Sequence, residues 1–284
     1  MCRPMSGIIT REAVLWDEWS DSHSKILEKA GIADRDEKPD FVKFELVPPD
    51  DDYTLPFEQW KYTEDQNYLP EWYNRENAEA EARKILPLWA ATHLITTEGA
   101  TVDLSGIKNP SIVVLSKKIT VIGQQGGEVR ACYTSTVRSS GQQGGLVRAY
   151  DASTVLSTGQ QGGLVWAYGS STVQSSGQQG GLVRAYDAST VLSTGQHGGE
   201  VWAHGSSTVQ STGQTGGYVR AHGSSTVQLA GQQGGEVRAY DASTVQSTGQ
   251  QGGLVRAYGS STVQSSGQQG GEVQACCGKV IIIN

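Results

Sequence analysis

The sequence predicts a mainly β protein: a parallel β-solenoid of about nine regular coils with degenerate caps, preceded by a small α+β domain. The first observation is an 18-residue unit that repeats through residues 123–280 without insertion or deletion. The second is that every unit contains two runs with strand-like alternation. Repeats of fixed length are typical of coils that stack on one another and bury a shared core. Copies begin at Gly123, Gly141, Gly159, Gly177, Gly195, Gly213, Gly231, Gly249 and Gly267.

The alternation within one unit divides its residues between two faces. In the run 146–150, Val147 and Ala149 share one face, and in the run 153–158 the Val and Ser positions do. These positions hardly vary among the copies, whereas the alternate positions carry Arg, Trp, Leu or Gln. We therefore predict a narrow interior of Val, Ala and Ser, with the variable positions on the outside.

The residues between the runs indicate two corners in each coil. Gly144 and Gly145 suit a corner that needs positive φ or close backbone approach. Asp151 and Ala152 form the second corner, which other copies build from Gly and Ser. Two runs and two corners favour a flattened, two-sided coil, although a three-sided coil with six residues per side has the same length. At a strand spacing of about 4.8 Å, nine coils make a rod roughly 40 Å long.

Stacking places each outward position above its copy, so the variable positions are predicted to form ladders. One face carries a row of Arg interrupted by Trp and, beside it, a row of Tyr and His. Residues of these types at this density are typical of an interface core. Glu128, Glu200, Glu236 and Glu272 on the same face can pair with Arg. The predicted interface residues are Arg148, Tyr150, Trp166, Tyr168, Arg184, Tyr186, Trp202, His204, Tyr218, Arg220 and His222.

Two further ladders follow from the same stacking. The Gln at the second position of each copy, from Gln124 to Gln268, is predicted to form an outward amide ladder like those of cross-β structures. A Thr ladder on the other sheet offers an alternative, ice-binding face. Its residues are Thr154, Thr172, Thr190, Thr208, Thr226 and Thr244.

The first third of the chain has a different composition. Residues 1–100 hold 21 Asp and Glu against 11 Lys and Arg, and the remaining residues hold 8 against 11. A composition break near Glu98 marks a boundary. We predict a small acidic α+β domain over 1–98, degenerate capping coils over 99–122, and the repeat solenoid with a C-terminal cap over 123–284.

Apolar runs, helix caps and Pro residues predict the elements of the acidic domain. Pro87 is expected to kink or end the longer of two helices. The predicted elements are a hairpin of residues 8–9 and 14–16, a helix over 22–30, a strand over 41–46, a loop over 48–52 and a helix over 70–93.

Cys2 is the first candidate for chemistry. It would become an N-terminal nucleophile if Met1 were removed, and this start resembles that of class II amidotransferases. The resemblance implies an N-terminal-Cys enzyme, but the Gly that usually follows the Cys in that family is absent here.

Other candidates have plainer interpretations. His23 could serve as a base, but a histidine at a helix start is more often inert. The acidic residues 50–52 could bind a hard cation, but a solvated loop has the same composition. His204 and His222 lie one coil apart without a third ligand, so we interpret them as substitutes for Tyr. We predict no catalytic site, no metal and no cofactor.

Two families share motifs with this chain. The core Val-Arg-Ala-Tyr-Asp-Ala-Ser-Thr-Val of residues 147–155 resembles repeats of uncharacterised phage and bacterial proteins. The stretches 1–2, 8–10, 16–17, 22–23 and 69–73 are similar to the leader domain that precedes such repeats, which implies a phage-related protein. Ala-Tyr-Gly-Ser-Ser-Thr at 167–172 is also similar to the ice-nucleation repeat. That family has a sixteen-residue period and a Thr-x-Thr pair, from which the outward face Thr154-Leu156-Thr158 departs.

We predict a non-enzymatic structural or interaction protein whose partner is itself, with a homodimer as the simplest form, or another protein. An ice-binding protein and an N-terminal-Cys enzyme are the alternatives. No run of about 18 apolar residues predicts a membrane span, and a net charge of −7 argues against nucleic acid as a partner. Four Cys and a start without a secretory signal predict a cytoplasmic location, with virion association as a further possibility.

Overall fold

The computed structural model describes residues 5–34, 39–107, 110–115, 118–140, 143–159, 161–176, 179–194, 197–213, 216–231, 233–249, 251–267 and 269–283. The chain forms two compact units, Met1–Ile95 and Thr96–Asn284. The division falls close to the composition break at Glu98. The first unit combines helices with an antiparallel sheet, and the second is a parallel β-solenoid.

The sheet of the first unit has four strands, in the order β2-β1-β3-β4. The predicted hairpin is confirmed, because Ile8 pairs with Leu15 in antiparallel register. The fourth strand was missed, since only Tyr62 in it is buried and the apolar pattern is correspondingly weak. The strands are β1 Met5–Ile9, β2 Val14–Leu15, β3 Val42–Val47 and β4 Lys61–Glu64.

Two α-helices pack in this unit, α1 His23–Lys29 and α2 Arg75–His93. The second begins five residues later than predicted, because the Asn74 side chain accepts a 2.9 Å hydrogen bond from the Asn77 backbone N–H and caps the helix there. It includes Pro87 and continues to His93, so Pro87 does not end it. Short 3₁₀ turns at Pro49–Asp51 and Phe57–Gln59 and the two-residue strand Leu94–Ile95 complete the unit.

The core of the first unit lies between the sheet and the helices. Leu27, Phe44 and Leu86 are fully buried, and Trp60 is 1% exposed. Gly7 is required in the central strand, because a Cβ there would lie 2.5 Å from Phe44 Cζ. This close approach lets the Phe44 ring cover the strand.

The solenoid consists of two parallel sheets, one strand of each contributed by every coil. We name them after the residues at their outer surfaces. The strands of the arginine sheet are Ser111–Val114, Glu128–Ala131, Leu146–Ala149, Leu164–Ala167, Leu182–Ala185, Glu200–Ala203, Tyr218–Ala221, Glu236–Ala239, Leu254–Ala257 and Glu272–Ala275. Those of the threonine sheet are Thr101–Asp103, Ile119–Ile122, Thr136–Ser140, Thr154–Thr158, Thr172–Ser176, Thr190–Thr194, Thr208–Thr212, Thr226–Ala230, Thr244–Thr248, Thr262–Ser266 and Lys279–Ile283.

Neighbouring regular coils pair in the register that the 18-residue period predicts. Val147 lies beside Val165 in the arginine sheet, and Val155 lies beside Val173 in the threonine sheet. The two-sided cross-section is therefore confirmed. The interior is also as predicted: Val147 and Ala149 are fully buried, as are their counterparts in the other regular coils up to residue 263. Burial of small side chains from both sheets stabilises the stack.

The corners explain the Asp and Gly of the repeat. Asp187 adopts a left-handed conformation with φ 56°, and Gly169 adopts the same conformation at the equivalent position, with φ 64°. The Asp187 carboxylate also accepts a 3.1 Å hydrogen bond from the Gly169 backbone N–H of the preceding coil. At the opposite corner, a Cβ on Gly163 would lie 2.7 Å from the Gly145 carbonyl oxygen, so only Gly fits there.

Candidate interaction face

The outer face of the arginine sheet brings the predicted interface residues together. Strand register aligns Arg148 with Trp166 and Trp166 with Arg184. We call this line the arginine row and the line of rings beside it the aromatic row. Side chains in both rows are half-buried against their neighbours, whereas Tyr218, at the edge of the face, is 44% exposed. The arginine row comprises Arg130, Arg148, Trp166, Arg184, Trp202, Arg220, Arg238 and Arg256, and the aromatic row Tyr150, Tyr168, Tyr186, His204, His222, Tyr240 and Tyr258.

The rings of the aromatic row stack face to face along the solenoid axis. Tyr168 and Tyr186 have ring centroids 5.0 Å apart and an angle of 5° between their planes. The stack continues from Tyr186 to His204 at 5.2 Å and from His222 to Tyr240 at 4.5 Å. Such pairs stabilise neighbouring coils. Because the ring faces cover one another, the row presents mainly ring edges and hydroxyl groups to its surroundings.

The arginine row contains a continuous series of cation–π contacts. The Arg184 guanidinium lies 5.3 Å from the ring centre of Trp166 and 4.7 Å from that of Trp202. Arg148 contacts Trp166 at 4.9 Å, and Arg220 contacts Trp202 at 4.8 Å. Each Trp that interrupts the row therefore contacts the arginines of both neighbouring coils. Each indole separates two positive charges that would otherwise repel.

Glutamates on the same face neutralise most of the arginines, as predicted. Glu128 lies 2.8 Å from both Arg130 and Arg148. Glu236 lies 2.7 Å from Arg238 and 3.1 Å from Arg256, and its hydrogen bond with Arg238 lowers the pKa of its carboxyl group.

Glu200 contacts a third arginine of the face and the indole of a tryptophan. Its carboxylate lies 3.6 Å from Arg220 and accepts a 2.7 Å hydrogen bond from Trp202 Nε1. This contact joins the third glutamate of the face to the arginine row.

Arg184 differs from the other arginines of this row. Within the described part of the chain, no carboxylate lies at ion-pair distance from it, and its buried Nε has no hydrogen-bond acceptor. Leu164 and Leu182 occupy the positions that Glu holds in other coils. The buried Nε1 of Trp166 has no acceptor either among the described residues. The centre of the row is therefore rich in unsatisfied donors.

Glu272 is the complementary case on the same face. It is exposed, and its carboxylate accepts a 2.5 Å hydrogen bond from Gln274. Position 274 is Gln where neighbouring coils have Arg, so Glu272 has no ion pair with the described residues. Among the described residues of the face, one cation and one anion thus have no ion-pair partner.

The threonine sheet carries the predicted Thr ladder. Thr154, Thr172 and Thr190 occupy one line of the strand register, and their side chains are half-buried. A line of amides that sequence reasoning missed runs beside them. Gln210 donates to Gln228 at 3.0 Å, and the next two steps are 3.4 Å each. Gln at the same position of four consecutive coils was the available signal.

The predicted outward ladder from Gln124 to Gln268 is wrong at its first member. Gln124 is fully buried, and its side-chain Nε2 donates to the carbonyl oxygen of Gly126 at 3.1 Å. The side chain turns inward because the corner carbonyls there need a donor. The corresponding Gln of the later coils lie outside the described residues.

The two adjacent histidines continue the stack, with ring centroids of His204 and His222 5.0 Å apart. Burial is the main cause that lowers the pKa of both imidazoles. His222 and Arg184 lower that of His204 further. Arg220 also lowers the pKa of His222, while Asp241, 3.9 Å away, opposes the shift. The described residues contain no group of three or more His, Cys, Asp or Glu side chains placed to hold a metal ion.

The remaining chemical candidates lie in the first unit. His23 is buried. Its Nε2 lies 3.0 Å from the Phe44 carbonyl oxygen and its Nδ1 lies 3.2 Å from Asp65, so both ring nitrogens have polar partners within the first unit. Asp52 accepts hydrogen bonds from the backbone and side chain of Thr54. Cys2 lies outside the described residues.

Comparisons with protein-family models, with curated proteins and with solved structures gave no match. Among the described helices, none has the length and apolar character to cross a membrane.

Proposed function

We propose that this chain is a non-enzymatic structural protein whose solenoid associates through the outer face of the arginine sheet with a second copy of itself. The observation that carries the proposal is the density of Arg, Trp, Tyr and His on one regular face. The two rows present these residues in every regular coil from Arg130 to Tyr258. Such residues dominate the binding energy of interfaces.

The sheet geometry supports the same proposal. The strands of a solenoid are held on both sides by neighbouring coils, so their side chains lose little further freedom on binding. The cation–π contacts of Trp166 and Trp202 fix the arginine row in place before a partner arrives. A rigid surface of this kind binds with a small entropic cost.

The experiment compares oligomeric mass between the parent and a Trp166→Ser, Trp202→Ser double variant by sedimentation. We expect a dimer for the parent at micromolar concentration and a shift towards monomer for the variant. A Gln210→Ser, Gln228→Ser variant on the threonine sheet is the matched control and should keep the parent's mass. A monomeric parent, or a variant with unchanged mass, would overturn the proposal.

An ice-binding role for the threonine sheet is the second candidate. The observation that favours it is the in-register line of Thr side chains, in which Thr172 and Thr190 pair directly. The Leu side chains at 156 and 192 interrupt the polar surface beside it. Thermal hysteresis of the parent, lost on Thr172→Val and Thr190→Val, would establish this role, and its absence would remove it.

The resemblance to phage repeat proteins supports a phage-related setting, with the protein in the host cytoplasm or on the virion. The non-enzymatic part of the proposal has its own test. A covalent adduct formed at Cys2 by an electrophile, together with an activity that Cys2→Ala removes, would contradict it.

A further inference from the structure

Two unpaired charges lie on the face that we propose as the interface. Arg184 has no carboxylate partner among the described residues of its own chain, and neither has Glu272 a cationic one. The other described carboxylates of this face each contact at least one arginine. A second copy of the chain therefore offers each of the two residues a partner that the described residues of its own chain do not supply.

Arg184 stands to gain most from such a partner. Its guanidinium is held between the Trp166 and Trp202 indoles, and its Nε is buried without an acceptor. The buried Nε is closed to a partner that approaches from outside, but a carboxylate of the second copy could form a charge-assisted bond with the terminal nitrogens of the guanidinium. The flanking Leu164 and Leu182 cannot supply that bond.

The regular spacing of the coils determines how two copies can meet. The strand of Glu272 is the fifth after the strand of Arg184 in the arginine sheet, which corresponds to about 24 Å along the axis. A two-fold axis that lies in the plane of the interface, parallel to the strands and midway between them, places each of these strands opposite the other in the second copy. That midpoint lies between the strands of Arg220 and Arg238.

This rotation preserves strand direction, so Arg184 lies opposite Gln274 of the second copy and is offset by two positions from Glu272 along the strand. This offset is about 7 Å, which the long Arg and Glu side chains can span. The same arrangement places His222 opposite Tyr240 of the second copy. Arg220 meets Arg238, and each of these already has a glutamate in its own chain.

The exposed large hydrophobic residue among the described residues of this face lies beside the proposed axis. Tyr218 is 44% exposed and belongs to the coil next to the midpoint. The rotation places it opposite Glu236 of the second copy. The two copies of Tyr218, related by the axis, would then bury apolar ring surface near the centre of the interface.

We propose that two copies pair face to face about this two-fold axis and that Arg184 of each binds Glu272 of the other. The inference rests on the proposed function and adds the register in which the two copies pair. Six coils overlap, from the strand of Arg184 to that of Glu272. The overlap buries about 500 Å² per copy in projection, at the lower end for a specific interface, so we expect dissociation in the micromolar range.

Charge exchange tests this register. Arg184→Glu and Glu272→Arg should each raise the dissociation constant measured by sedimentation about tenfold or more, because each places like charges together. The double variant restores an opposite pair and should return to within about threefold of the parent. Arg138→Glu makes the same charge change on the exposed surface of the threonine sheet and should have little effect.

The possible outcomes separate the two proposals. Thermal melting by circular dichroism checks that the variants fold. Because Glu272 is exposed, we expect Glu272→Arg to perturb the fold less than Arg184→Glu. A double variant as weak as its single variants overturns the register, while the loss of dimer in the Trp166→Ser, Trp202→Ser variant would still support the face. A parent that stays monomeric overturns both.

Discussion

The guanidinium of Arg184 lies over the indole of Trp202, 4.7 Å from the ring centre. Because the two residues belong to successive coils, this contact joins the coils through their outer surface as well as through the core. Trp202 contacts Arg220 in the same way on its other side. The outer rows therefore contribute to the stability of the stack itself.

Trp202→Leu should lower the free energy of unfolding by about 1–2 kcal/mol, because it removes two partly buried cation–π contacts. Chemical denaturation at a concentration where the parent is monomeric measures the change. Tyr218→Leu, at an exposed site, should lose less than about 1 kcal/mol. Equal losses would show that the arginine row does not stabilise the coils.

The interior position Val191 should be far more sensitive than its neighbour. Val191 is fully buried, so Val191→Asp places a carboxylate in an apolar interior at a cost of about 3 kcal/mol or more. Thr190→Ala, at the half-buried position beside it, should cost less than about 1 kcal/mol. Variants that melt alike would contradict the assignment of inner and outer faces.

Two serines at the same repeat position should respond differently to removal of the hydroxyl. Ser243 Oγ donates a 2.7 Å hydrogen bond to the backbone carbonyl oxygen of Tyr240 and lies 3.3 Å from the Ala221 carbonyl oxygen. The buried Ser171 Oγ has no partner among the described residues. Ser243→Ala should cost about 1 kcal/mol, and Ser171→Ala should be neutral or stabilising. Thermal unfolding compares the two, and the reverse order would refute the explanation.

The stacked histidines should make the solenoid sensitive to acid. Burial lowers the pKa of both His204 and His222 below the ordinary value of 6.5, so the unfolded chain binds protons more readily than the folded one. Their contribution is fully present above about pH 6.5 and is lost as the pH falls through the lowered folded pKa values. A His204→Tyr, His222→Tyr variant should lose less stability between pH 7 and about pH 5 than the parent. An unchanged pH slope would contradict this.

The solenoid could be predicted from the sequence alone because its units repeat at a fixed length. A strict period aligns each strand with its own copy, so register, inner face and outer rows follow from comparing coils, as for Val147 and Arg148. What sequence reasoning missed depends on local hydrogen bonding. Gln124 turns inward to corner carbonyls, and the capping by Asn74 delays the second helix. Neither bond leaves a periodic signal.

The candidate face was predictable residue by residue, but its charge balance was not. Which arginines find a glutamate depends on side-chain reach between coils: Glu128 serves Arg130 and Arg148, whereas Arg184 receives none from the described residues. The half-buried state of the rows likewise follows from stacking distances. From the sequence alone, these side chains can be assigned only to the outer face, without their degree of burial or their ion-pair partners.

Sedimentation equilibrium of the parent protein, from about 1 to about 100 µM, tests the central claim most directly. The account predicts a reversible, concentration-dependent rise from the monomer mass of 30.3 kDa to twice that mass. A mass of 30.3 kDa across the whole range would show that the arginine and aromatic rows stabilise only their own coils and would contradict the claim.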